Sequence, residues 1–395
     1  MAKTMLKNKK ILLAVCGSIA FYKAYEILSL LKKQGADVYV ALSDGALKFC
    51  SIAGFEALSA HRVLSSTSED WQAGVNHIAY AKMDLVLIAP ASVNTINKLA
   101  SGVCDNVFMQ TLIAASAVPL VIAPAANNKM ISHFATQNSL EILKRNGASI
   151  VEPVNKILAC GDEGKGGLSE PETIVYEAIR KLSEQKFKGK NVLVTGGATI
   201  EKIDDVRAIT NLSSGKMARA LADAFYFAGA NVTLAASFET QNLPYEVVKF
   251  NSSDELLKIC QEKCKNADLL VMCAAVSDYV SEEKFSGKLK KEELGKQWSL
   301  KLVQNLDILN ELAKFSCKKI GFKMEFDPTN AKQSAQKMLS NKGLDAVCLN
   351  VITDQNAFGS EVNEVTFITK NGETQLKMAQ KSEIAKQILG LTSKL

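Results

Sequence analysis

The densest collection of chemically useful residues lies at mid-chain, in residues 191–217, NVLVTGGATIEKIDDVRAITNLSSGKM. Val192-Leu193-Val194-Thr195 runs into Gly196-Gly197, the pattern of a buried strand ending in a tight glycine turn, where an open α/β sheet binds a nucleotide. Asn211-Leu212-Ser213-Ser214-Gly215-Lys216 then sets small hydroxyls, a glycine and a lysine at the mouth of a helix expected over Met217 to Phe227. Backbone N–H groups at a helix start can bind an anion, and a lysine adds a point charge. Serine also caps helices without a ligand, so each fragment alone is a weak signal. The long, polar, irregular segment between them strengthens the pair, because a loop of that length in a compact domain is usually functional.

Other stretches could carry chemistry too. Lys288, Lys290 and Lys291 form a cationic cluster downstream of Asp278. A lysine run is usually a solvated face. On a loop that follows a strand end bearing Asp278, it is better explained as a clamp on a triphosphate, where positive charge offsets charge developing in phosphoryl or nucleotidyl transfer. Residues 159–166, ACGDEGKG, are too rich in glycine to be core and read as a lid over an active site, with Cys160 inside it. His77 suits proton transfer near neutral pH, although a lone histidine beside an apolar stretch is more often structural. Cys260 and Cys264 share a helix face but lack two further ligands, so metal binding is not expected there.

The elements that must position these residues alternate between strand and helix. In the first half, strands over Ile11 to Val15, Val38 to Leu42, Leu85 to Ala89 and Leu120 to Ala123 alternate with helical segments. That pattern predicts parallel strands with right-handed crossovers and a ligand at the strands' carboxyl ends. Those ends carry Gly17-Ser18-Ile19-Ala20, Ser43, Ser92 and Ala125, small and hydroxyl-bearing. They would suit the phosphate of a flat cofactor, with Ser18 and Ser43 as donors, though serines at turns are often simple caps. The second half repeats the alternation and ends in an Asn371-Gly372 hairpin and a last helix. A polar stretch, Gln185 to Lys190, marks the boundary, giving domains 1–185 and 191–395 with a linker at 186–190.

With 395 residues, 47% hydrophobic and 22% charged, the chain is long enough for two cored domains. The net charge of +6 is mild, and no basic block is interleaved with aromatics, so small anionic ligands are expected rather than nucleic acid. Nine cysteines without a C-x-x-C spacing read as reduced cytosolic thiols. The basic start and the apolar run to Ala20 imitate a signal peptide, but that run leads into an amphipathic helix. No later run is long enough to span a bilayer.

The mid-chain stretch resembles the ligase half of the bacterial bifunctional phosphopantothenoylcysteine decarboxylase/phosphopantothenate–cysteine ligases. Asp205 stands where that family's pattern has proline, and Ala218 where it has glycine. The resemblance extends over nearly all the chain. GSIA, APASVNT, PAANNKM and ACGDEGKGGL are similar to the signatures of flavin-containing cysteine decarboxylases, and AAVSDY, KLKK, NLDI and GF to those of the ligase half.

The resemblance implies two Rossmann-like α/β domains, a flavodoxin-like flavoprotein domain and a nucleotide-binding ligase domain with a mixed sheet. It implies FMN held by Gly17, Ser18, Ile19, Ala20, Ser43, Ser92, Asn94 and Thr95. His77 would be the base at the substrate thiol, Asn127 would bind the substrate carboxylate, and Cys160 would protonate the enethiol. In the ligase half, 4'-phosphopantothenate would attack the α-phosphate of CTP, and the acyl-cytidylate, bound by Asn211, would pass to L-cysteine. Ala274, Ala275, Asp278, Asn305, Asp307, Ile308 and Phe322 would line the nucleotide site and Lys288 would hold the phosphates, with Mg2+ bridging phosphate oxygens. Whether Lys337 or Lys342 reaches the nucleotide stays open. Ala126, Ile131 and Gly167 replace the family's methionine, tryptophan and arginine, which implies altered pocket packing and weaker binding of the substrate phosphate.

The family further implies cytoplasmic homo-oligomers, with trimeric flavin domains and dimeric ligase domains, and no membrane or nucleic-acid partner. Two rivals remain in view: a regulatory protein that binds flavin without turnover, and an NADP-dependent short-chain dehydrogenase, suggested by VTGGATI and the Y-x-x-x-K at Tyr245 to Lys249. That tyrosine follows Pro244 and leads into a β-like run, which argues against a catalytic helix.

Overall fold

The computed structural model of the chain describes residues 5–70, 76–157, 161 and 163–395. Internal contacts divide the chain into two units, Met1–Ser183 and Glu184–Leu395.

In the first unit, five parallel strands form the main sheet among the described residues: β1 (Lys10–Val15), β2 (Asp37–Leu42), β3 (Leu85–Ala91), β4 (Leu120–Pro124) and β5 (Ser149–Ile150), in the order β2-β1-β3-β4-β5. β3 is buried along its whole length, which explains its unbroken apolar run: a parallel sheet is covered on both faces. Leu12, Val86, Ile88 and Ile122 pack with Phe108, Leu112 and Leu140 from the helices Val107–Ala114 and Phe134–Arg145. The helix Lys23–Lys33 packs along Pro171–Leu182. The strand order reverses between β1 and β3, so their carboxyl ends open a crevice. A hairpin of β6 (Val154–Ile157) and β7 (Glu163–Gly167) leans on the loop after β4, where Ala126 N donates to Gly166 O at 3.1 Å. Residues 158–160 and 162 lie outside the described residues, and Cys160 with them.

The second unit is built on β8 (Asn191–Gly196), with β9 (Ile200–Lys202) and β10 (Ala208–Thr210) as a small antiparallel pair beyond it. Then follow β11 (Asn231–Ala236), β12 (Glu246–Lys249), β13 (Leu269–Met272), the pair β14 (Tyr279–Ser281) and β15 (Leu302–Gln304), β16 (Lys318–Glu325), β17 (Ala346–Val351), β18 (Val362–Thr369) and β19 (Gly372–Gln380). The main sheet runs β12-β11-β8-β13-β16-β17-β18-β19. Its first six strands are parallel, and β18 and β19 are added by antiparallel pairing, so the sheet is mixed. Order reverses between β8 and β13, again placing a crevice at strand ends.

Residues 186–190 pack on this second unit: Phe187 lies edge-on to Phe225 at 5.0 Å, and its N–H donates to Ala228 O. In the terminal hairpin Thr369 pairs with Gly372, so Lys370 and Asn371 form the turn and the glycine opens the last strand.

Candidate functional site

At the β1/β3 crevice, a cavity of about 800 Å³ is lined by Gly17, Ser18, Ile19, Ala20, Ser43, Ser92, Asn94, Thr95 and Asn127, among others. The strand ends are tied together before they open: Cys16 N donates to Pro90 O at 3.1 Å, and Cys16 Sγ meets Thr95 Oγ1 at 3.2 Å. Burial raises the Cys16 thiol above its ordinary pKa, so this cysteine stays protonated and structural. The serines are caps as well as lining residues. Ser18 Oγ accepts from Ala20 N, Ser43 Oγ from Ala46 N and Ser92 Oγ from Thr95 N. Capping uses one lone pair, and a hydroxyl can still donate.

Gly17 is required by close approach: a Cβ there would stand 2.6 Å from the backbone carbon of Gly45. Asn127 Oδ1 accepts from Lys129 N at 2.9 Å, which orients its amide at the cavity wall. His77, on the short helix Asn76–Ala81, is not among the described residues that line this cavity.

In the second unit, the β8 turn and the loop after β13 are stitched together. Ala275 N donates to Gly197 O, Thr199 N to Ala275 O, and Asn211 Nδ2 to Val276 O at 3.1 Å. Gly197 and Gly215 both have positive φ, and a Cβ on either would stand 2.1 Å from Ser237 Oγ or Phe238 Cδ1 respectively.

A cavity of about 540 Å³ beside the β13 end is lined by Ala274, Asp278, Asn305, Asp307, Ile308, Phe322 and Lys342, among others. Asn305 Nδ2 donates to Ser277 O at 2.8 Å, and Lys342 Nζ lies 2.8 Å from Asp307 Oδ2. Ala275, Lys288 and Lys337 are not among the described lining residues. Lys288 and Lys337 are exposed.

Lys216 departs from its expected place. Its Nζ donates to Gly359 O and pairs with Glu361 instead of standing as an unengaged charge at the helix start. The Y-x-x-x-K stretch lies at and along an edge strand, with Tyr245 Oη bonded to Asp223 at 2.7 Å, and forms no catalytic helix.

Comparison with known proteins places each unit. Residues 1–183 match the Flavoprotein family model, and residues 187–395 match that of the DNA/pantothenate metabolism flavoprotein C-terminal domain. The Coenzyme A biosynthesis bifunctional protein CoaBC of Bacillus subtilis is 36% identical over 98% of this chain and 97% of its own length. Its Haemophilus influenzae counterpart is 35% identical over 97% of each chain. The chain belongs to this bifunctional family. The crystal structure of a CoaBC C-terminal domain, 29% identical, covers 53% of this chain and 97% of its own with a TM-score of 0.45.

Within the family's frame, Ala126 contributes its backbone to the β6–β7 hairpin, Ile131 is buried, and Gly167 lines the first cavity. Sequence reasoning missed Lys23, Asp44, Lys98 and Lys156, which also line that cavity. Lys23 and Lys98 lie in amphipathic helices, where a lysine reads as solvated, and nothing local marks them. Among the described residues no group of three His, Cys, Asp or Glu side chains could hold a metal ion, and no helix is long and apolar enough to cross a membrane.

Proposed function

We propose that the chain carries out two consecutive steps of coenzyme A biosynthesis: CTP-dependent ligation of 4'-phosphopantothenate to L-cysteine in the second unit, then decarboxylation of 4'-phosphopantothenoyl-L-cysteine in the first. The observation that carries this reading is the convergence of Gly17, Ser18, Ile19, Ala20, Ser43, Ser92, Asn94 and Thr95 on one cavity at the β1/β3 reversal, the place where a flavodoxin-like sheet holds FMN.

The residues present fit FMN. Hydroxyl and amide donors line the same cavity as apolar Ile19 and Phe108. When bound, FMN supplies reversible two-electron chemistry. Asn127 receives the substrate carboxylate, His77 takes the thiol proton, and Cys160 returns a proton to the enethiol carbon. His77 is not among the described residues that line the cavity; the reading includes a homo-oligomer, as the family resemblance implies, trimeric through the flavin units and dimeric through the ligase units, in which a neighbouring copy supplies it.

In the second unit, Asn211 holds the acyl-cytidylate; Asp278, Phe322 and Lys342 bind the nucleoside end; and Lys288 offsets phosphate charge. Mg2+ arrives on the CTP phosphates and bridges their oxygens. The reading includes a cytoplasmic location for both steps.

The test is the visible absorption spectrum of the purified protein, with identification of the released chromophore, followed by CTP-dependent pyrophosphate release with phosphopantothenate and cysteine. FMN together with pyrophosphate release supports the reading. A colourless protein that takes up no FMN would overturn the first half. A Cys160→Ala protein that decarboxylates at the wild-type rate would remove the acid role.

A further inference from the structure

The first cavity has a cationic corner that none of the roles above uses. Lys23, at the start of the helix Lys23–Lys33, and Lys156, on β6, both line the cavity and share one carboxylate. Lys23 Nζ lies 2.9 Å from Glu170 Oε2, and Lys156 Nζ 2.5 Å from Glu170 Oε1. Two ammonium groups on one carboxylate leave an excess positive charge. Of the other charges on the cavity wall, Lys98 is paired with Asp105, and Asp44 accepts from Ser66 Oγ and keeps its negative charge, so the positive excess belongs to the Lys23–Lys156–Glu170 group and not to the cavity as a whole.

Of the two lysines, Lys156 is the more accessible to a ligand. The Lys23 side chain is 12% exposed and the Lys156 side chain 42%. The Lys156 stem packs over Gly167, where a Cβ would stand 3.2 Å from Lys156 Cδ, so a side chain at 167 would push the stem by a few tenths of an ångström. Hydrogen bonding to Glu170 raises the Lys156 ammonium above its ordinary pKa, which keeps it charged at neutral pH.

We propose that Lys156, backed by Lys23, seats a phosphate monoester in this cavity. The proposal rests on the function proposed above, in which both the flavin and the acyl substrate end in that group. A phosphate dianion carries more charge than the Glu170 carboxylate and accepts several N–H bonds at once, so it competes for Lys156 while Lys23 keeps Glu170.

The experiment uses full-length protein with Lys156→Ala and Lys156→Arg, and two pairs of probes. The first pair is 4'-phosphopantothenoylcysteine and its dephosphorylated analogue, read as KM for CO2 release; the second is FMN and riboflavin, read as dissociation constants. Loss of one charge-assisted bond predicts about a ten-fold weakening in Lys156→Ala for the phosphorylated member of one pair, with its partner unchanged. Lys156→Arg should restore most of it. The pair that responds identifies the source of the phosphate. If phosphorylated and dephosphorylated probes weaken equally, or neither weakens, the assignment is overturned. A wild-type protein that binds no FMN and releases no CO2 overturns the underlying function reading, and this assignment with it.

Discussion

Asp205 and Gly287 are joined twice: Asp205 N donates to Gly287 O at 3.2 Å, and Gly287 N donates to Asp205 Oδ2 at 2.8 Å. Around this pair, Phe285 N donates to Ile203 O, and Arg207 Nη2 to Leu289 O at 3.2 Å. The turn 203–207 therefore fixes the backbone on both sides of Lys288. A proline at 205, as in the family pattern, could make neither of the two bonds. Asp205→Ala keeps the N–H bond and loses the carboxylate one, worth about 1 kcal/mol. We expect KM for CTP in pyrophosphate release to rise about five-fold, with CO2 release unchanged. An unaltered KM would separate this latch from nucleotide binding.

Its neighbour Asp204 makes the same region sensitive to acid. The Asp204 side chain has no exposed surface, and it accepts from Val206 N, Arg207 N, Leu289 N and Arg207 Nη1. Burial pushes the carboxyl up, but the three N–H donors and the guanidinium outweigh it and hold the pKa below the ordinary value. With the folded pKa below the unfolded one of about 3.9, the contribution is complete above that value and is lost as pH falls through the folded one. Asp204→Asn should melt at lower temperature than wild type at neutral pH, and the gap should close as pH drops below about 4. Thermal melts across that range measure it. A gap constant with pH would mean that shape rather than charge is what Asp204 supplies.

Lys342 and Lys337 separate cleanly in the folded chain. Lys342 lines the second cavity and pairs with Asp307, whereas Lys337 is exposed on the helix Pro328–Asn341. Lys342→Ala should raise KM for CTP about ten-fold, and Lys337→Ala should change it less than about two-fold. Equal effects from both would count against the cavity as the nucleoside site.

The first sheet and the parallel part of the second were legible because strand and helix periods alternate cleanly, and the serines of the first cavity because parallel sheets bind ligands at strand ends. The β6–β7 hairpin was not, since VNKI and EGKGG lack an alternating apolar face; its pairing is held by the loop after β4. Lys156 was hidden for the same reason. Lys216 was read from its helix-start position, which says nothing about its partner Glu361, 145 residues further on. Asp205 was noted as a departure from the family pattern, but its bonds to Gly287 appear only once two distant loops meet.

The Gly17–Gly45 approach makes the sharpest test of the first cavity. A methyl group at 17 would meet the Gly45 backbone at 2.6 Å, and backbone cannot swing aside as a side-chain tip can. Both glycines line the cavity, so relief must come from moving one of its walls. Gly17→Ala should therefore purify with little flavin, its visible absorbance relative to protein reduced by more than about ten-fold, a binding loss of over ~1.4 kcal/mol. Pyrophosphate release should stay at the wild-type rate, because the second unit has its own core and its own cavity. Full flavin content in Gly17→Ala would show that this wall does not hold the cofactor. Loss of both activities would point to a folding defect rather than a local one.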